Sequence, residues 1–297
     1  MFQWLRNLFS LQRWRKVILR AKYDAAQMTD ENRRHWSAAD GLSARAANTL
    51  DVRVKLRNRA RYEFDNNGYC QGLVLSLADH IIGTGPRLQL QTDSPEINAA
   101  VETAFRQWFE ATGLGEKLHI LAQAKKKDGE GFALFVTNEE LDSPVKLDLR
   151  LVECDQVTTP SGMPPVSSAG WVDGIELNEA GAPITYHVLR YHPGDTVYPI
   201  AGWGEYDRVP ARLVLHWFRS SRPGQARGVP EITASLPLFA QLRRYTLATL
   251  TAAETAADFA ALLETQAPAD GETDNPTPFD SLEIERGMMT TLPSGAK

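Results

Sequence analysis

Residues 237–266, PLFAQLRRYTLATLTAAETAADFAALLETQ, constrain the fold of this chain more than any other stretch. They are rich in alanine, leucine and other strong helix formers. Starting near Pro237, they predict one helix about 43 Å long at ~1.5 Å per residue. A helix of that length exceeds what one small core needs. The segment before it, SRPGQARGVPE, is a closely shaped loop: Pro223-Gly224 and Gly228-Val229-Pro230 are strong turn signals with arginines between them.

The polar residues of the helix carry information. Glu254 and Asp258 are spaced i, i+4, so they share a face. Like charges there cost a few tenths of a kcal/mol, so the helix tolerates the pair without gaining from it. Ala253, Ala256, Ala257 and Ala260, with Ala248, Ala252 and Ala261, leave a thin surface that another helix could approach closely. Copies packed side by side through alanine, with the acids facing a watery lumen, would satisfy both facts. An ordinary surface helix with a solvated acidic face satisfies them too.

Upstream, residues 21–62 read as helix despite charges on odd positions between Asp51 and Arg61, because the flanks are rich in Ala, Leu and Arg. Gln71–Ile82 is a second apolar segment. Residues 95–112 form an amphipathic helix with Pro95 in its first turn, and another helix runs to Lys127. Strands are expected at Phe132–Val136, Leu147–Leu151, Gly174–Leu177, Ile184–Tyr191 and Ala211–Phe218, with Asn178–Gly181 as a turn. Loops are expected at 160–168 and 266–277. Helices, then a small sheet, then one long helix make an α+β chain, without the regular alternation of a doubly wound fold.

Charge is unevenly placed. Residues 1–62 hold fourteen Lys/Arg against five acids, whereas residues 254–297 hold nine acids against Arg286 and Lys297. This suggests different partners at the two ends, or a charged groove, or only local variation. The first twenty residues are basic and amphipathic, suited to a membrane surface or a partner. Arg6 and Arg13 interrupt any secretory apolar core. No apolar run reaches the ~20 residues that span a bilayer.

No catalytic constellation stands out. Gly83-x-Gly85 lacks the third glycine of a dinucleotide fingerprint and is followed by proline, and P-loop and GxSxG patterns are absent. Cys70 and Cys154 are isolated, with neither zinc-ligand spacing nor a disulfide framework. That points to a reducing, cytoplasmic origin. His187 and His192 fall in strand and turn, where their spacing does not suit a metal, and His216 reads as a core residue. Cys70 beside His80 could be a nucleophile, although plain burial fits better. The expectation is a non-enzyme without cofactor or metal.

Several segments, in order, resemble the N-terminal part of bacteriophage portal proteins of the lambda type. They are AKYDAA with Trp36, LRNRARYEFDNNGYCQGLVLSLADHIIGTGPRLQ, KDGEGFALF, VLHWFRSSRPGQARGVPEI and MMTTLPSGAK. The likeness implies a subunit of a dodecameric ring at one capsid vertex, the head–tail connector through which double-stranded DNA is packaged and ejected. Its partners would be the large terminase, capsid and connector proteins and DNA passing without sequence-specific binding. It would be assembled in the host cytoplasm and located in the virion. The chain divides accordingly into a basic helical segment (1–62), a wing-like α+β region (63–228), a stem helix (229–266) and the start of a clip (267–297). Arg222, Pro223, Gly224, Gln225, Arg227, Gly228 and Pro230 become candidates for a hinge before the stem. Glu254 and Asp258 become candidates for the channel wall, where acids would let a duplex slide while cations would grip it. The family continues beyond the point matched by Lys297, so a truncated portal is expected. The alternative is a basic amphipathic phage or prophage protein that binds nucleic acid or a membrane surface through residues 1–62. A hydrolase using Cys70 or a carboxylate pair ranks last.

Overall fold

The computed structural model describes residues 34–160, 170–195, 204–264 and 288–292, with side chains through residue 257. These residues fall into two units, one ending at Ser43 and one starting at Ala44. In the first, a turn closes with the Ala39 N–H donating to the Trp36 carbonyl at 3.0 Å. Residues 1–33 of the basic segment 1–62, residues 161–168 of the loop expected at 160–168, and the loop expected at 266–277 lie outside the described residues.

The second unit begins with two helices, α1 (Leu50–Asn66) and α2 (Gly68–Ile82). The helical reading holds over the odd-numbered charges of Asp51–Arg61, but residues 34–49 of the stretch expected as helix form turns, coil and a short 3-10 turn at Ala46–Asn48. The buried residues of α1 are Arg53, Arg57, Ala60, Glu63 and Phe64, one face at i, i+4, i+7 spacing. Asn67 separates the two helices, and its side-chain oxygen accepts from the Tyr69 and Cys70 amides, capping α2. Ser94 caps α3 (Pro95–Ala111) in the same way, with proline in its first turn. Gly113, at φ 60°, turns the chain into α4 (Leu114–Lys127).

Two antiparallel sheets follow. The first has the order β2 (Leu147–Val152), β1 (Glu130–Thr137), β7 (Val214–Phe218). The second runs β3 (Trp171–Val172), β4 (Ile175–Leu177), β5 (Pro183–Leu189), β6 (Tyr206–Pro210). A bridge between Val157 and Val188 ties the two regions. Their shared core is Phe132, Leu134, Cys154, Val157, Ile175, Tyr186 and Val188. β3 and β6 were not expected from sequence, and Ala211–Leu213 is a short 3-10 turn where a strand was expected. Among the described residues, five α-helices with small antiparallel sheets confirm the α+β class.

The long helix, α5, spans Leu236–Asp258 and not the full stretch to Gln266. Phe259–Glu264 forms β8, which pairs in parallel with β9 (Met288–Leu292). Pairing with a distant strand overrides the helix propensity of the alanine-rich end. The base of α5 is rooted in a helical core of Ala60, Phe64, Cys70, Val74, Ile232 and Leu236, with Phe239 against it.

Candidate functional site

The root of α5 is fixed by charge as well as by apolar packing. Glu130, the first residue of β1, is completely buried. Arg227, one per cent exposed, donates to its two oxygens at 2.6–3.1 Å. The Gly228 amide adds a bond of 2.8 Å and the His216 Nε2 faces it at 3.1 Å. Arg57 of α1 approaches from the other side at 3.4 Å.

The arrangement extends outward. Arg227 also donates to the Val157 carbonyl at 2.9 Å and reaches Asp173. Asp173 pairs with Arg53, and Asp155 pairs with Arg57 and, at 2.9 Å, with Arg61. Arg61 Nε donates to Asp128 at 2.7 Å. Four guanidinium groups thus face four largely buried carboxylates, balanced in formal charge, with the exposed Glu153 a fifth acid 3.4 Å from Arg61. Lys126 and Lys125 hold Glu231 one turn of chain further on.

Backbone closeness makes this junction possible. A Cβ on Gly228 would lie 2.1 Å from the Gly129 carbonyl oxygen, and one on Gly129 would lie 2.5 Å from the Val229 carbonyl carbon. Gly129 also has φ 94°, in the left-handed region. Only paired glycines let the 227–231 segment lie on the start of β1.

The environment tunes each group. Burial pushes the Glu130 carboxyl up, but Arg227 and His216 overcome it and hold the acid well below its usual range. Burial lowers Arg227, and Glu130 more than restores it, so its pKa is raised. Asp155 is lowered because Arg57 and Arg61 outweigh its burial. At Asp128 burial wins over Arg61, and the pKa rises. His216 is lowered by burial, only partly offset by Glu130. It stacks between Phe132 and Phe218, and its Nδ1 faces the Tyr186 hydroxyl at 3.3 Å. The neutral ring with its proton on Nε2 satisfies both partners.

Beside this network, Glu153, Asp155 and His192 offer metal-ligand atoms within 4.8 Å of one another. The Gly194 amide donates to His192 Nδ1 at 3.0 Å, so the neutral ring carries its proton on Nε2, the atom that faces the carboxylates. Arg61 already contacts both acids, at 3.4 and 2.9 Å. A guanidinium therefore occupies the place a cation would take. His187, which the sequence assigns to structure, is buried and bonds Glu176 at 2.7 Å.

The sequence-selected residues divide. Arg222, Pro223 and Gly224 form an exposed turn with Gly224 at φ 77°, and Gln225 is half-buried. The Gln225 side chain accepts from the Ser221 amide and donates to the Arg227 carbonyl, both at 2.9 Å. Arg227, Gly228 and Pro230 are buried and anchored. Glu254, Ala253, Ala256 and Ala257 are exposed on α5. Asp258 ends the helix, and Ala260 sits in β8 instead of on the helix. Every residue from Arg244 to Ala257 is exposed. At ~100° per residue, Leu238, Leu242, Tyr245, Thr249, Ala252 and Ala256 line one side, and Glu254 with Asp258 the other.

One reading changes, three acids are added, and the plain burial expected of Cys70 is borne out. Arg53, Arg57 and Arg61, counted among the basic residues of a segment expected to serve partners or a charged groove, turn inward onto acids. Their i, i+4, i+8 spacing carried that signal. Glu130, Asp155 and Asp173 were not singled out at all. Cys70 is fully buried, burial and nearby Glu63 raise its thiol, and His80 lies roughly 15 Å along the same helix at ~1.5 Å per residue. That pair cannot act as nucleophile and base.

The segments meeting at Glu130 are the ones that carry the family likeness: the arginine-rich helix, KDGEG and ARGVPE. A family model described as phage portal protein, lambda family, matches residues 30–297. The chain is also similar to a probable portal protein of Halomonas phage phiHAP-1. They are 26% identical over 261 residues, covering 81% of this chain and 50% of that protein. The chain therefore spans about half the length of this curated relative.

Proposed function

The chain belongs to the lambda family of phage portal proteins, and on that premise we propose that it is a subunit of a ring-shaped head–tail connector whose α5 lines the passage for double-stranded DNA. Portal proteins are structural components of phage heads, and the role is one of scaffold and conduit without chemistry of its own. In this reading the ring is a dodecamer at one capsid vertex, assembled in the host cytoplasm. It docks the large terminase during packaging and the tail connector afterwards. Residues 1–62 form a basic segment, 63–228 a wing, 229–266 a stem and 267–297 the start of a clip.

One observation carries the reading: α5 is rooted in a balanced buried network and then runs fourteen residues without burial. Isolated helices of ~12–15 residues are marginal in water. A helix built to project needs neighbours, and identical neighbours around a ring supply them. Its alanine side then meets adjacent copies, while Glu254 and Asp258 face the lumen and repel the phosphate backbone. Residues 222–225 give the exposed turn at which the stem could pivot relative to β7.

Negative-stain microscopy and sedimentation of the purified chain test this. The expected result is closed rings with a central opening. A chain that stays monomeric at every concentration, with no rings on the grid, overturns the proposal.

A further inference from the structure

α2 is apolar almost all round, yet only Cys70, Val74 and Ala78 are buried. Tyr69 is 69% exposed, Leu73 47%, Leu77 38% and Ile81 46%. Their i, i+4 spacing makes them a continuous ridge along the helix. Beside it runs a row of small residues, Gly68, Gly72 and Ser76. A Cβ on either glycine would meet nothing within 4 Å. A ridge with a shallow groove next to it is the surface that a second helix packs against. Helices apolar on all sides belong in an interior, and contiguous exposed apolar patches beyond a few hundred Å² mark interaction sites.

We propose that this face of α2 is a docking surface for a second copy of the same chain. The proposal rests on the ring reading above and names one of its contacts. The chemistry of α2 selects the class of partner. The helix has no lysine or arginine, and Asp79 and His80 near its end are its acid and its histidine. DNA would need cations to replace its counterions, and an anionic membrane surface would need a basic rim. No helix among the described residues is long and apolar enough to cross a membrane. A nearly neutral face spares two copies of an acidic chain the like-charge repulsion that other surfaces would impose.

Area points the same way. The four side chains of the ridge are far fewer than the roughly 20–30 residues a side of a stable interface. α5 of the same chain has a matching deficit on the side away from Glu254: Leu238 and Tyr245 are both more than half exposed. A head-to-tail contact, one copy's α2 against the next copy's helical surface, covers both deficits. Contacts of that heterologous kind close into rings.

Thiol labelling reads the contact directly. Both native cysteines are buried, so Leu73→Cys introduces the accessible thiol, and Glu179→Cys in the β4–β5 turn serves as control. Maleimide labelling of the full chain is followed across concentrations that sedimentation shows to be monomeric and assembled. Labelling at position 73 is expected to slow on the order of tenfold or more on assembly, with position 179 unchanged. Gly72→Leu, which fills the groove, is expected to block assembly without lowering the circular dichroism melt, since leucine favours the helix more than glycine does. Equal labelling in monomer and ring overturns the α2 contact and leaves the ring reading standing. Slow labelling at every concentration, monomer included, also overturns it, because the chain's own residues then cover the face. Failure of the unsubstituted chain to assemble overturns the contact together with the ring reading.

Discussion

Glu130→Gln leaves the buried Arg227 guanidinium with only Asp173 as an ionised partner. Removing one member of a buried pair costs about 3–5 kcal/mol, because the survivor stays desolvated. A urea titration followed by circular dichroism should show that loss. Arg190→Ala, which removes exposed pairs with Glu205 and Asp207, should leave the midpoint unchanged. The pH dependence has two steps. His216 has a depressed pKa, so the unfolded chain takes up its proton first and stability falls as pH drops below about 6.5. Glu130 and Asp155 are also depressed; their contribution is complete above the unfolded carboxylate range and is lost as pH falls through their lower folded values. Asp128, raised by burial, opposes that second step. Urea midpoints at pH 7, 5.5 and 4 should decline in this order, and His216→Gln should remove the upper step alone, with a slope change of up to ~1.4 kcal/mol per pH unit. A midpoint flat between pH 7 and 5.5 would contradict a neutral, buried His216. The residues of this network were all visible in the sequence, but their partnership was not. Arg57, Asp155 and Arg227 meet across long separations, and periodicity reports only the face of one element.

At the scale of elements, local signals were read well where they act locally. Ser94-Pro95 marks the start of α3 because a hydroxyl cap and a fixed φ act within one turn. Ser94→Ala should cost about 1 kcal/mol, measurable as a lower melting temperature. The odd-position charges of α1 suggested a strand, and the helix-forming flanks rightly outweighed them. A helix can bury guanidinium groups when acids on other elements await them. β6 and β8 escaped notice because strand identity there depends on a partner far along the chain. α5 shows both cases: its existence follows from composition, and its end at Asp258 does not. Its exposure also has a kinetic signature. Amides of residues 244–257 should exchange with solvent quickly in the monomer, while those of α1 stay protected. In assembled particles the same α5 amides should become slow. Exchange of 244–257 that is already slow in a verified monomer would mean that α5 is covered within one chain.

For the whole molecule, the balanced network and the exposed acids have opposite electrical roles. Inside, four arginines and four acids cancel, so the root of α5 adds little net field. Along the helix, Glu254 stands exposed with no cation opposite it among the ion pairs of the described residues. In the proposed ring that one position would be repeated around the axis, and the lumen would carry a band of negative charge. Such a band disfavours counterion-releasing contacts with DNA, so a duplex meets no site at which to stop. Reversing the charge should convert the wall from repelling to gripping. Glu254→Lys is expected to leave monomer stability within ~0.5 kcal/mol, as for most exposed substitutions. Ring formation, judged by microscopy, is expected to be retained. DNase-protected DNA per particle should fall, and it should recover as ionic strength rises, because each added phosphate contact steepens the salt dependence. Glu254→Gln separates the two possible causes, since it removes repulsion without adding attraction. It should lie close to the unsubstituted chain if gripping is what arrests DNA. Packaging by Glu254→Lys rings that is undiminished at low salt would remove residue 254 from the channel wall, and the acids of α5 would then be those of a solvated outer face.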